Sequence, residues 1–129
     1  MTPDFSPWGK IDWSETLAPG FEMVATASHG GILVSREASF KLTPAARRCG
    51  FWNGGYLCFE EDAAENVVLR ELLDRKLWKI PERVKNREAF EESINQNIQK
   101  HNPGYWHARE KRLKAESKLA QHTPPEAVR

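Results

Sequence analysis

The first 42 residues alternate between apolar and polar positions as strands do, and the later segments repeat apolar positions at helical spacing. "IDWSETLA" and "FEMVATA" flank the turn signal Pro19-Gly20, and "ILVS" follows Gly30-Gly31. This pattern, broken by Pro and Gly, predicts antiparallel strands joined by tight turns. We expect a meander of about three strands over residues 11–42, with "ASFKL" continuing the last strand past a bulge and residues 28–31 at a hairpin tip.

The next segment changes character and predicts a short helix followed by a strand. Thr43 is a good N-cap and Pro44 suits the first helical position, so we expect a helix over residues 44–48 that ends at Gly50. The turn "NGG" before "YLCF" predicts one more strand that pairs with the meander.

Apolar residues four positions apart predict two helices in the rest of the chain, and a further helical stretch follows them. Ala64, Val68 and Leu72 mark a helix that begins near Asp62, and "AFEESINQNI" marks a second one. "NPG" at residues 102–104 separates the second helix from a third over "YWHAREKRLKAESKLA". The sequence therefore predicts an α+β fold, in which an antiparallel meander packs on a helix and two C-terminal helices follow.

This pattern divides the chain into an α+β core domain at residues 1–80, a helical C-terminal extension at 81–119 and a flexible tail at 120–129. The tail has the composition of a disordered segment, with two consecutive prolines. At the other end, "MTPDFSPWGK" predicts an extended arm whose Phe5 and Trp8 dock onto the core domain.

The formal net charge of +1 excludes a nucleic-acid binder that relies on bulk charge and an acidic mimic of DNA. No apolar run is long enough to span a bilayer and no signal peptide is recognisable, so we expect a cytoplasmic protein that does not contact membranes. Cys49 and Cys58 have no C-x-x-C spacing and are expected to be inert thiols. We expect neither a metal nor another cofactor.

The first candidate for chemistry is His29, together with Glu60, Glu61 and Asp62. A carboxylate that accepts a hydrogen bond from one imidazole nitrogen leaves the other free to act as a base. In an enzyme, His29, Glu61 and Asp62 would be the catalytic residues. In the structural alternative, the same contact only pins the hairpin tip to the start of the helix.

Two further segments interleave aromatic and basic residues, which dominate binding hot spots. One lies around the "NGG" turn, and core packing is the alternative use of its rings. The other spans residues 100–118, where six basic residues oppose two acidic ones, and suits single-stranded nucleic acid or an RNA-rich protein surface. A solvated helix face with a docked Trp106 is its alternative. The candidate partner-binding residues are Arg47, Arg48, Phe51, Trp52, Tyr56, Tyr105, Trp106, Arg109 and Arg112.

Three motifs resemble an uncharacterised domain family found in phage, plasmid and integrative-element proteins. They are "PWG" at residues 7–9, "TASHGG" at 26–31, and Phe59 followed by "EED" at 60–62. The resemblance implies a mobile-element origin and no particular activity. Ala63 and Ala64 stand where related sequences usually carry a cysteine and another acid, which argues against a metal-binding acid cluster.

These observations favour a small mobile-element protein that binds and inhibits a host protein or ribonucleoprotein complex, as anti-defence and anti-CRISPR proteins do. The alternative is a hydrolase or transferase that uses His29 with a carboxylate from Glu60, Glu61 or Asp62. A nucleic-acid-binding regulator that uses residues 100–118 is a third hypothesis.

Overall fold

A five-stranded antiparallel sheet dominates the N-terminal half of the chain in the computed structural model, which describes residues 2–121. The strands are β1 (Phe5–Ser6), β2 (Gly9–Lys10), β3 (Trp13–Ala18), β4 (Phe21–Ala25), β5 (Gly30–Val34), β6 (Phe51–Asn53) and β7 (Tyr56–Glu60). The helices are α1 (Arg36–Ser39), α2 (Pro44–Arg47), α3 (Glu65–Asp74), α4 (Arg87–His101) and α5 (Pro103–Gln121). The predicted α+β fold, with its meander and later helices, is confirmed.

The main sheet has the strand order β3-β4-β5-β7-β6, so β3 and β6 are its two edges. All neighbouring strands are antiparallel. The predicted three-strand meander corresponds to β3, β4 and β5, and "YLCF" lies in β7 beside β5. Strands β1 and β2 form a separate pair within the N-terminal arm.

The prediction that "ASFKL" continues the last strand was wrong, because Ser35 starts a helix there. The Ser35 side chain accepts a hydrogen bond from Ala38 N at 3.1 Å, so α1 follows β5 directly. The helix predicted near Asp62 begins later, at Glu65. Asp62 instead has a φ of 63°, a left-handed conformation that Asp tolerates in turns.

One large apolar core lies between the sheet and the helices. Phe21, Ile32 and Phe59 contribute to it from the sheet, and Val68 and Leu72 from α3. Ile94, Ile98 and Tyr105 belong to the same cluster. The C-terminal extension therefore shares its core with the N-terminal half of the chain. Helix α5 includes residues 120 and 121 of the predicted tail, and residues 122–129 lie outside the described part of the chain.

The N-terminal arm covers the other face of the sheet. Trp8 and Ile11 pack with Tyr56 against a smaller buried cluster of Val24, Leu33 and Cys58. The docking of Trp8 is as predicted, whereas Phe5 is exposed. Within residues 2–121, no helix combines the length and apolar character that a membrane span requires.

Candidate functional site

The "TASHGG" segment is held together by the side chain of Thr26. Its Oγ1 lies 2.7 Å from His29 O and 3.2 Å from Trp8 O, and accepts a hydrogen bond from His29 N at 3.1 Å. Thr26 therefore closes the β4–β5 hairpin and fastens the N-terminal arm to it. The "TASHGG" and "PWG" motifs are therefore in contact, through Thr26 and Trp8.

The glycine pair is required by close approach of other parts of the chain. A Cβ on Gly31 would lie 2.5 Å from the Trp8 ring and 2.3 Å from Phe59 O. A Cβ on Gly30 would lie 2.5 Å from Val24 O. Because real Cβ atoms do not come this close, any larger residue would displace either the arm or the strand. Close packing is therefore enough to explain why both positions are glycine, and no ligand is needed to explain them.

His29 lies beside one of the three acids predicted to accompany it, on the protein surface. Its Nδ1 is 3.8 Å from Glu61 Oε1, beyond hydrogen-bonding distance, and the two side chains are 57% and 38% exposed. Glu60 is at the exposed end of β7, and the main chain of Asp62 turns toward α4, where its carbonyl accepts from Asn97. The structure thus brings His29 together with Glu61.

Over residues 2–121, no group of three or more His, Cys, Asp or Glu side chains has an arrangement that could hold a metal ion. Both cysteines are free thiols. Burial raises the pKa of the Cys49 thiol, and it raises the pKa of the Cys58 thiol to about 11. Reactive cysteines show the opposite direction of shift, so neither thiol is activated.

The hairpin formed by β6 and β7 exposes two of the predicted binding rings. Trp52 is 55% exposed on edge strand β6, and Phe51 beside it is also exposed. Phe51 points to the opposite face of the sheet, where its ring meets Trp8 edge-on at 6.3 Å. Tyr56 is half-buried against the smaller cluster.

Trp52 lines a shallow groove of about 510 Å³ between this hairpin and the two short helices. The other lining residues are Arg36, Ser39, Phe40, Arg47 and Gly55. Phe40 is 75% exposed, and sequence reasoning missed it because the segment was taken for a strand. Arg47 is half-buried and its Nη1 donates to Leu42 O at 2.6 Å, whereas Arg48 is exposed. We call the rings of Phe40 and Trp52 with Arg36 and Arg47 the aromatic groove.

The second predicted binding segment contains one buried ring among mostly exposed residues. Tyr105 is only 4% exposed, and its hydroxyl donates to Glu71 Oε2 at 2.7 Å. Glu71 is itself buried and also accepts from Thr43 N at 2.8 Å. Burial, followed by the nearby Glu71 charge, raises the pKa of the Tyr105 phenol well above its usual value. The structure therefore places this ring where a partner cannot reach it, contrary to the prediction of a surface position.

Two predicted surface arginines are tied to the same region. Arg109 donates to both oxygens of Asp74, from Nε at 2.8 Å and from Nη2 at 3.0 Å. Arg112 lies 3.4 Å from both Glu71 and Asp74. We call Glu71, Asp74, Tyr105, Arg109 and Arg112 the interhelical network.

Trp106 is partly buried and packs against the core. This agrees with the alternative of a helix face on which Trp106 is docked. Arg109 lies over the Trp106 ring, 5.0 Å from its centre. The hydrogen bonds that Arg109 donates to Asp74 raise the pKa of Arg109 above its usual value, so the Arg109 charge is paired within the protein. Residues 100–118 therefore present fewer free cations than the sequence suggested.

The chain belongs to the family described as Domain of unknown function (DUF7007), which matches residues 1–125. The predicted resemblance to an uncharacterised domain family is confirmed to that extent. No curated protein and no solved structure matches the chain.

Proposed function

We propose that this member of the DUF7007 family acts by binding a partner protein through the aromatic groove. The observation that carries the proposal is the exposure of Trp52 and Phe40 side by side, next to two arginines. Exposed aromatic rings near arginine are typical of binding hot spots. Tyr105 and Trp106 pack in or against the core, whereas Trp52 and Phe40 are left uncovered.

The position of Trp52 supports a role in binding rather than in packing. Trp52 pairs with Leu57, so it points to the helix-covered face of the sheet, but β6 is an edge strand and the ring remains 55% exposed. Its place on a short, rigid hairpin limits the conformational entropy that binding would cost.

In this proposal the protein derives from a mobile element and acts in the cytoplasm of a host cell. It inhibits a host protein or ribonucleoprotein complex, as anti-defence and anti-CRISPR inhibitors do. The resemblance of the three motifs to proteins of phages, plasmids and integrative elements supports that origin. The near-zero net charge makes shape, rather than long-range attraction, the source of specificity.

The test uses two tryptophan variants of similar exposure. Trp52→Ala removes the ring from the aromatic groove, whereas Trp13→Ala removes a 49% exposed ring from the opposite edge strand β3. We expect Trp52→Ala to weaken binding to the complex captured from host lysate by about 2 kcal/mol, roughly 30-fold. Trp13→Ala should bind as the unmodified chain does.

The captured complex is then titrated with the protein while its nucleic-acid binding or cleavage is measured. Inhibition that ends near one protein per target site supports the proposal. Equal binding by both variants would contradict the assignment of the groove. Inactivation of a large excess of target, abolished by His29→Ala, would instead support the hydrolase or transferase alternative, whose only geometric support is the 3.8 Å approach of His29 to Glu61.

A further inference from the structure

A second cavity, of about 390 Å³, lies between the β3–β4 end of the sheet and helices α3 and α4. It is at the opposite end of the strand order from the aromatic groove. Its apolar wall includes Met23, Leu69, Trp78, Phe90 and Ile94. The Trp78 and Phe90 rings are 6.4 Å apart and tilted by 49°. A volume of this size suits one small organic molecule.

The charged groups that line this cavity are mainly acidic. Glu15 comes from β3, Asp62 from the turn before α3, and Glu65 from the first position of α3. Arg83 is the one cation in the lining. Burial, together with the charges of Glu61 and Asp62, raises the pKa of Glu65 to about 7. Among the described lining residues, three acids therefore stand against a single cation, and the cavity is negative overall.

Asn97 adds a buried acceptor that lacks a donor. Its Nδ2 donates to Asp62 O at 3.0 Å, which fixes the orientation of the amide. Its Oδ1 is buried and has no hydrogen-bond partner among the described residues. Asn97 also lines the cavity. Because buried polar atoms are nearly always paired, this oxygen can accept a hydrogen bond from a water molecule or from a donor group of a bound ligand.

We propose that this cavity binds a small organic cation, namely a protonated primary amine on an apolar body about as large as one aromatic ring. The ammonium group supplies hydrogen-bond donors and positive charge to Asp62, Glu65 and Asn97. The apolar body packs against Trp78 and Phe90, whose ring faces also attract cations. This proposal uses none of the residues of the aromatic groove, so it stands or fails independently of the proposed function.

The first test compares three probes of the same shape and different charge on the full chain. The probes are 2-phenylethylammonium, neutral 2-phenylethanol and anionic 3-phenylpropionate. Binding is followed by NMR, through the side-chain amide of Asn97 and the indole N–H of Trp78. We expect saturable shifts with the ammonium probe, affinity about tenfold or more lower for the alcohol, and no binding of the carboxylate.

The second test changes the acids one at a time. Asp62→Asn keeps a residue that tolerates the left-handed backbone, and Glu65→Gln keeps the shape of the side chain. Each should weaken binding of the ammonium probe about tenfold. Glu92→Gln, which removes an exposed acid of α4 outside the cavity lining, should leave the affinity unchanged.

The pH dependence provides a third readout. From pH 5.5 to 8, Glu65 loses its proton and binding of the ammonium probe should strengthen, while Glu65→Gln should flatten this rise. The other charged groups around Glu65 are Glu61 and Asp62 on the preceding turn, and Glu15 on β3 and Arg83 in the same cavity lining. Equal affinity for all three probes, tighter binding of the carboxylate, or no saturable shift with the ammonium probe up to about 10 mM would overturn the proposal.

Discussion

The aromatic groove and the interhelical network both combine aromatic side chains with arginines, but these side chains lie in opposite environments. In the groove, Phe40 and Trp52 remain exposed next to Arg36. In the network, Tyr105 and Arg109 are held by Glu71 and Asp74 of α3. Aromatic rings interleaved with arginine therefore do not by themselves identify a surface. The two regions differ because, in the network only, acids on another helix accept hydrogen bonds from these side chains.

The comparison also separates residues that contribute mainly to stability from residues that contribute mainly to binding. Groups in the network have several partners at hydrogen-bonding distance, and their removal leaves buried polar atoms unpaired. The two rings of the groove, Phe40 and Trp52, are mostly exposed, so their removal leaves no buried polar atom unpaired. Substitutions in the network should therefore lower stability, and substitutions in the groove should lower binding. Three measurements of stability sharpen or break this distinction.

The largest loss is expected for Glu71→Ala. The carboxylate accepts hydrogen bonds from Thr43 N and Tyr105 Oη, and the variant leaves both donors without it in the interior. We expect the free energy of unfolding to fall by about 3 kcal/mol, measured by chemical denaturation. A loss below about 1 kcal/mol would show that the network contributes little to stability and that the comparison is wrong.

A matched pair of arginines gives an intermediate effect. Arg109→Ala removes two hydrogen bonds to Asp74 and should cost about 2 kcal/mol of unfolding free energy. Arg36→Ala removes an exposed arginine of the aromatic groove and should change the free energy of unfolding by less than about 0.5 kcal/mol. Both values come from the same denaturation experiment. Equal losses in the two variants would remove the distinction between the regions.

The smallest effect is expected for His29→Ala. Its 3.8 Å approach to Glu61 joins two exposed side chains, and such surface pairs contribute about 0.5 kcal/mol or less. The closure of the hairpin depends on Thr26 and on the glycines instead. A loss of more than 1 kcal/mol, a size typical of buried contacts, would show that His29 pins the hairpin to the segment before α3.

Short-range patterns in the sequence were enough to predict most of the fold. Alternation between apolar and polar residues located β3, β4 and β5, and apolar spacing of four located α3 and α4. The break at "NPG" located the start of α5. The N-cap Thr43 and Pro44 located α2. The one element predicted as the wrong type, α1, is four residues long and depends on a single capping serine. In so short a segment, the capping bond outweighs any periodicity.

The candidate sites depended far more on contacts between distant residues. The sequence determined which side chains were available, including Trp52 beside the "NGG" turn and Tyr105 after "NPG". Nothing in the sequence indicated that the Tyr105 hydroxyl would donate a hydrogen bond to Glu71, which lies 34 positions earlier in the chain. Only the packing of α5 against α2 and α3 decided that one ring is buried and the other exposed. Burial is set by which helix covers a residue, and that depends on the whole tertiary arrangement rather than on neighbours in the chain.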